Sequence, residues 1–185
     1  MDRTPFLKTP AAGRYSHVTR LPVVVVLDNV RSLYNTGAFF RTADACALER
    51  LVLCGITPRP DQGMKQRHAI SKTALGSEET VVWEYAASTP LALKTASAAG
   101  YHVAAVETSP NAIDLYDWQP AWPVCLVFGH EIEGVSPDVA RYCETHVRIP
   151  MLGRKHSLNV ATAAGVVLFE LLRKHSERGP LSTGP

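Results

Sequence analysis

At 185 residues the chain has room for one compact domain with a substantial core and too little for two. With 46% hydrophobic and 19% charged residues it is no disordered chain, and a formal charge of +2 is too small to mark a nucleic-acid binder unless the cations are concentrated. Four dispersed cysteines without a C-x-x-C pair, a start without a secretory apolar core, and no apolar run near the roughly 18 residues of a membrane span predict a cytoplasmic protein with free thiols, no metal site and no membrane anchor.

Residues 1–21 read as a basic N-terminal arm, with Arg3, Lys8, Arg14, His17 and Arg20 set among Pro5, Pro10 and Gly13. Order is expected from Pro22. The β-branched run "VVVVLD" (23–28) has the pattern of a strand buried on both faces of a parallel sheet. "TGAFFRTADACAL" (36–48) follows as a helix with Ala38, Phe39, Thr42, Ala45, Cys46 and Leu48 on its inward face. Strands are predicted at 50–55 and 80–85, and a helix over 89–100 with Pro90 near its start and Gly100 after its end. Further strands are expected at 101–107, 123–129 and 146–151, with a short helix over 136–143 capped by Ser136. A closing helix is expected over 157–175, capped by Ser157, and a flexible tail over 176–185. Strands separated by helices predict an α/β fold, a mostly parallel sheet flanked by helices, in one domain over 22–175.

In open α/β sheets ligands bind beyond the carboxyl ends of the strands, which directs attention to three loops. After the first strand, Asn29, Asn35 and Gly37 suit a turn into a helix. Arg41 lies where it can reach back to the strand ends, or is an exposed helical arginine. "FGHEIEGVS" (128–136) has glycines at Gly129 and Gly134 for close backbone approach and carboxylates at Glu131 and Glu133, although such a pattern also occurs in plain turns. "GRKHSLN" (153–159) sets Arg154, Lys155 and His156 at a helix N-terminus, where the dipole is already positive, so an anion is the natural partner. The Rossmann G-x-G-x-x-G after the first strand, the P-loop motif and the G-x-S-x-G elbow are all missing.

Taken together, "NVRSLYNTGAFFRTADA", "LVFGHEIEGVS" and "IPMLGRKHSLNVATAAGVVLFE" resemble, in order and spacing, the three motifs of the SpoU/TrmH family of RNA ribose methyltransferases in the SPOUT superfamily. The resemblance runs from about Pro22 to Lys174, and "KTALGSEETVVWEY" looks like the segment between the first two motifs in many members. It implies a C-terminal deep trefoil knot that builds the S-adenosylmethionine pocket, and a homodimer whose subunits share the RNA site. It places Leu126, Val127, Phe128, Gly129, Glu131, Gly134, Ile149, Met151 and Leu158 around the cofactor. By the same resemblance Arg41 is the catalytic residue, assisted by Asn35, with Glu131, Ser157 and Asn159 completing the site.

The implied reaction is in-line attack of a ribose 2′-hydroxyl on the sulfonium methyl group, for which positioning is the main contribution. Because an arginine is effectively always protonated, Arg41 is better suited to anchoring a phosphate and stabilising the forming alkoxide than to accepting a proton. RNA contacts are expected from Arg14, Arg20, Arg31, Arg59, Lys65, Arg67, Lys72, Arg154 and Lys155. Transfer RNA and ribosomal RNA both fit, with a slight lean to transfer RNA from the compact layout. A catalytically inactive RNA-binding relative and an α/β methyltransferase acting on a small nucleotide are the alternative readings.

Overall fold

The structure is a computed structural model that describes residues 20–179. Seven strands form one sheet, all paired in parallel, in the order β3-β2-β1-β6-β4-β7-β5. In chain order the elements are β1 (Leu21–Asp28), α1 (Leu33–Ala45), β2 (Leu48–Cys54), α2 (Met64–Ala74), β3 (Trp83–Ala86), α3 (Thr89–Ala98), β4 (His102–Val106), β5 (Ile113–Asp114), β6 (Val124–Phe128), α4 (Pro137–Ala140), β7 (Thr145–Arg148) and α5 (Val160–Ser176).

The valine run forms a central strand because it can be buried on both sides. β1 lies between β2 and β6, and alternation sends Val23, Val25 and Leu27 to one face and Val24 and Val26 to the other. On the first face Phe39 and Phe40 of α1, Ile70 of α2 and Leu168 and Leu171 of α5 close the core. On the second, Leu93 and Ala96 of α3 and Val139 of α4 cover the sheet. Each fully buried aliphatic side chain contributes about 1.5–3 kcal/mol relative to exposure, so these layers are the main source of stability.

Several expected boundaries move. Helix α1 starts earlier, at Leu33, because Ser32 caps it by accepting the Asn35 N–H at 3.2 Å, and its core face uses Phe40 and Ala43, whereas Ala45 is exposed. It ends before Ala47, whose φ of +49° turns the chain into β2. Helix α2 was not foreseen, since only Ile70 and Ala74 of its residues are buried and the rest read as polar loop. The strand expected at 80–85 is displaced to Trp83–Ala86 by a 3₁₀ turn over Ser77–Glu79, whose buried Glu78 accepts from Gly76 N and Ser71 Oγ. Helix α4 is a single turn, and Ser136 sits at its N-cap without a side-chain bond.

Two contacts hold the layers in register. A Cβ on Gly37 would lie 2.2 Å from Thr73 Oγ1 and 2.3 Å from Ile70 O, so only glycine lets α2 approach α1 so closely. Buried Lys174 near the end of α5 donates to the carbonyls of Leu115 (2.7 Å), Tyr116 (3.2 Å) and Trp118, tying the last helix to the segment after β5. Of the arm, Arg20 is described, and its Nη1 donates to Glu49 O at 3.0 Å; Arg14 lies outside the described residues.

Candidate active site at the carboxyl ends of the strands

A cleft of about 260 Å³ opens where β4, β6 and β7 end, the position at which an open parallel sheet binds ligands. Its apolar surfaces are Phe128, Ile149, Met151 and Leu158, and its polar groups include Glu107, His130, Glu131 and Ser157. Of the nine residues expected around the cofactor, Phe128, Gly129, Glu131, Gly134, Ile149, Met151 and Leu158 line this cleft. Leu126 and Val127 do not. They lie within β6, and the strand's alternation buries Leu126 in one apolar layer and Val127 in the other.

Beside the cleft the three sequence motifs meet through hydrogen bonds. The Glu131 carboxylate accepts the N–H groups of Arg31 (3.1 Å) and Ser32 (3.0 Å) and the Asn35 side-chain amide (3.0 Å). The Asn159 Nδ2 in turn donates to Asn35 Oδ1 at 3.1 Å, while Asn159 Oδ1 caps α5 by accepting from Ala161 N (3.0 Å) and Thr162 N (3.3 Å). The amide orientations of Asn35 and Asn159 are both dictated. A carboxylate and helix N–H groups leave each asparagine one way to face.

Partial burial pushes the Glu131 carboxyl upward, but the N–H groups of Arg31 and Ser32 and the Asn35 amide outweigh it and hold it below the usual carboxylate range. Glu131 is therefore an ionised organiser and a poor proton acceptor at neutral pH.

The cap of α5 is a correction. Ser157 was expected there, but the helix begins at Val160 and Asn159, with its extended backbone, is the capping residue. Ser157 lies exposed on the cleft wall, and its side chain makes no hydrogen bond among the described residues. Arg41 is exposed on α1, outside the cleft lining, and has no hydrogen bond or ion pair among the described residues. Within one chain the structure thus joins Asn35, Glu131 and Asn159, and leaves Arg41 apart from them.

The loop before α1 is fixed from beneath. Thr57 Oγ1 donates to Leu27 O at 3.0 Å and accepts Val30 N at 3.1 Å, and Asn29, at φ +56°, accepts the Ile56 N–H. Sequence reasoning missed Glu107. Its carboxylate receives Thr108 N at 2.8 Å and Val135 N at 2.9 Å, and a Cβ on Gly134, whose φ is +69°, would lie 2.1 Å from its Oε2. The strand-end rule applied to β4 points to this residue, since Glu107 directly follows that strand.

The cations expected to meet RNA divide in two. Arg59 pairs with Asp61 at 3.1 Å and lies over the Tyr85 ring, and Arg67 pairs with Glu79 at 2.9 Å. Arg31, Lys65, Lys72, Arg154 and Lys155 are exposed, and their side chains have no partner among the described residues. The cysteines offer no chemistry: burial raises the thiol of Cys46 to about 11 and those of Cys54, Cys125 and Cys143 to about 12.

The fold and site have known counterparts. The model of the SpoU rRNA Methylase family matches residues 22–169. The chain is 35% identical over 156 residues to the 23S rRNA (guanosine-2′-O-)-methyltransferase RlmB of Ralstonia nicotianae, covering 84% of this chain and 60% of that one. The crystal structure of the Aquifex aeolicus TrmH/SpoU tRNA modifying enzyme matches with a TM-score of 0.77 at 27% identity, over 89% of this chain and 83% of that one. The AdoMet-bound rRNA methyltransferase from Sinorhizobium meliloti matches with a TM-score of 0.74 at 31% identity, over 86% of this chain and 59% of that one. The chain spans about 60% of the length of the RlmB proteins it matches. With the family model running from β1 into α5 across all three motifs that meet beside the cleft, the chain belongs to the SpoU rRNA methylase family.

Proposed function

We propose that the protein is an S-adenosylmethionine-dependent methyltransferase that modifies a ribose 2′-hydroxyl of transfer or ribosomal RNA. The observation that carries this reading is the Asn159–Asn35–Glu131 chain, built from residues 124 and 96 positions apart in sequence and set beside the strand-end cleft. The cleft's donor set suits the cofactor. Phe128, Ile149, Met151 and Leu158 offer apolar surface to a purine, and Glu107 and Glu131 oppose the positive charges of a sulfonium and an ammonium group. S-adenosylmethionine supplies the electrophilic methyl group; everything else is positioning by this chain.

In this reading Glu131 and Asn159 fix Asn35 in one orientation at the reacting end, and Ser157 faces the same space. Arg41 binds the phosphate next to the target ribose and stabilises the forming alkoxide, with phosphate or solvent taking the proton. Because Arg41 stands outside the cleft of its own chain, we assign a homodimer in which the partner subunit's Arg41 completes each site. Exposed Tyr34 of α1 and Phe169 of α5, on helices packed against each other, support an interface there. We also infer that the segment from β6 to α5 is threaded as the family's deep trefoil knot. The insertion of β7 between β4 and β5 and the clasp of Lys174 on residues 115–118 support this. Among the described residues no helix is long and apolar enough to cross a membrane, and we place the protein in the cytoplasm.

The test is transfer from methyl-labelled S-adenosylmethionine to purified transfer RNA, ribosomal RNA and a panel of free nucleotides. Label in alkali-resistant dinucleotides of one RNA class is the expected result, and it decides between the two classes. Cofactor binding without transfer would identify an inactive RNA-binding relative. Label in free nucleotides would identify a small-molecule enzyme.

A further inference from the structure

The turn His130–Gly134 carries Glu131, and its shape aims that carboxylate at the start of α1. The turn is closed at its base by the pair His130 N to Gly134 O (3.0 Å) and Gly134 N to His130 O (2.9 Å). Its tip projects outward, with Ile132 90% exposed and Glu133 exposed as well. Inside the turn, one atom does the remaining work. His130 Nδ1 lies 3.2 Å from both Ile132 N and Glu133 N, and both backbone groups donate to it.

We propose that His130 is a positioning residue for methyl transfer, a neutral imidazole in the Nε2–H form whose Nδ1 shapes the turn that delivers Glu131 to Asn35. Two backbone donors converging on Nδ1 require a lone pair there, which assigns the proton to Nε2. Both bonds are exposed, so water satisfies the two N–H groups when Nδ1 is lost, but only the half-buried ring holds them converged on one fixed point. Loss of Nδ1 frees Ile132 N and Glu133 N, lets the turn relax, and loosens the Glu131 contacts with Arg31, Ser32 and Asn35. The effect reaches the reaction only through those contacts. Positional errors of about 1 Å at reacting groups cost up to about a hundredfold in rate.

This inference rests on the methyltransferase reading for its kinetic part alone, and two of its readouts are independent of it. In the intact protein, imidazole ¹⁵N spectra should show His130 protonated at Nε2; a proton on Nδ1 overturns the proposal. His130→Asn places Oδ1 where Nδ1 stands, His130→Gln places its acceptor where Nε2 stands, and His130→Ala removes both. Amide exchange at Ile132 and Glu133 should stay near wild type in the asparagine variant and accelerate at least about tenfold in the other two, the scale of one hydrogen bond lost. Methyl transfer at saturating cofactor should follow the same order, with the asparagine variant restoring kcat to within about threefold and the others losing at least about tenfold. Equal behaviour of asparagine and glutamine variants, or wild-type exchange in all three, overturns it. Absence of transfer in the wild type would count against the function proposed above and leave the tautomer and exchange results to decide this one.

Discussion

Two polar regions border the same cleft and are built in opposite ways. In the wall made by Glu131, Asn35 and Asn159, each side chain is engaged, with donors and acceptors matched to within 3.3 Å. In Gly153–Leu158 no side chain makes a hydrogen bond or ion pair among the described residues, and each is exposed. Arg41 belongs with the second region in this respect. The difference separates two kinds of work. Polar groups that satisfy one another define shape, because moving any of them strands a partner. Polar groups without a protein partner are those with bonding capacity left for a ligand. The first region should therefore fail by losing stability and geometry together, and the second by losing chemistry or affinity while the fold stays intact.

The largest effect should come from the unpartnered set. Arg41→Ala is expected to lower methyl transfer by about 10²–10³-fold, the scale of one lost donor to developing charge. Its thermal midpoint and its S-adenosylmethionine affinity should remain within experimental scatter and about twofold, respectively, since the side chain is exposed and outside the cleft lining of its own chain. Kinetics and calorimetry on the same preparation check this, and a large loss of cofactor affinity would move Arg41 into the other region.

Next comes Glu131. Glu131→Ala leaves two backbone N–H groups and the Asn35 amide without their acceptor; at this partly exposed position the cost is about 1 kcal/mol, with a fall in turnover beside it. The sign of the pH dependence follows from the lowered carboxyl. Stabilisation by Glu131 is complete above the ordinary carboxylate range and is lost as the pH falls through the group's own, lower folded-state value. Denaturant titrations of wild type and Glu131→Gln should therefore differ at neutral pH and converge in acid. Parallel curves down to the acid limit would mean that the carboxylate is not held by these donors.

Asn159 belongs to the engaged wall but does two things, and substitutions can part them. Asn159→Ala removes the cap, worth about 1 kcal/mol, and the bond to Asn35 together. Asn159→Asp keeps a capping oxygen but has no donor for Asn35 Oδ1. The aspartate variant should retain its thermal midpoint to within about 2 °C while losing turnover, and the alanine variant should lose both. A matched loss of stability in both variants would show that the asparagine pair, rather than the cap, anchors the start of α5.

How much of this was legible in the sequence follows the same division. Val23 to Leu27 and Val124 to Phe128 could be read as buried parallel strands because continuous apolar runs have few other uses. Helix α2 could not, because an amphipathic stripe of Ile70 and Ala74 is too narrow to show against the polar residues around it, and it is Gly37 of α1 that makes room for it. The resemblance brought Asn35, Glu131 and Asn159 to one site, yet their bonds depend on side-chain directions that no motif specifies. Ser157 has the chemistry of a cap in sequence, and Asn159 takes that place because the backbone turns helical only at Val160. Leu126 and Val127 were carried over with their neighbours, although the alternation of β6 turns their side chains away from the cleft. Glu107 shows in sequence only by its place after β4, because its bond to Val135 N and its fit against Gly134 join segments that are far apart in the chain.

The smallest effects concern the cations, and here the comparison can be made within one class of residue. Among the described residues Arg154 and Lys155 have no protein partner, whereas Arg67 is held by Glu79 and Arg59 by Asp61 and the Tyr85 ring. A cation that already has a carboxylate partner gives up that pairing to bind phosphate, so it contributes less to RNA affinity than an unpaired one. Each phosphate contact with a single strand contributes about −0.7 to the slope of log affinity against log salt. The double variant Arg154→Ala/Lys155→Ala should therefore flatten the slope by about 1.4 and weaken RNA binding several-fold at moderate salt, with cofactor affinity kept. Arg59→Ala and Arg67→Ala should leave the slope within about 0.3 of wild type. Fluorescence anisotropy with a labelled RNA across a salt series reads all three. An equal loss from paired and unpaired cations would show that carboxylate pairing on this surface does not decide which residues meet the phosphates.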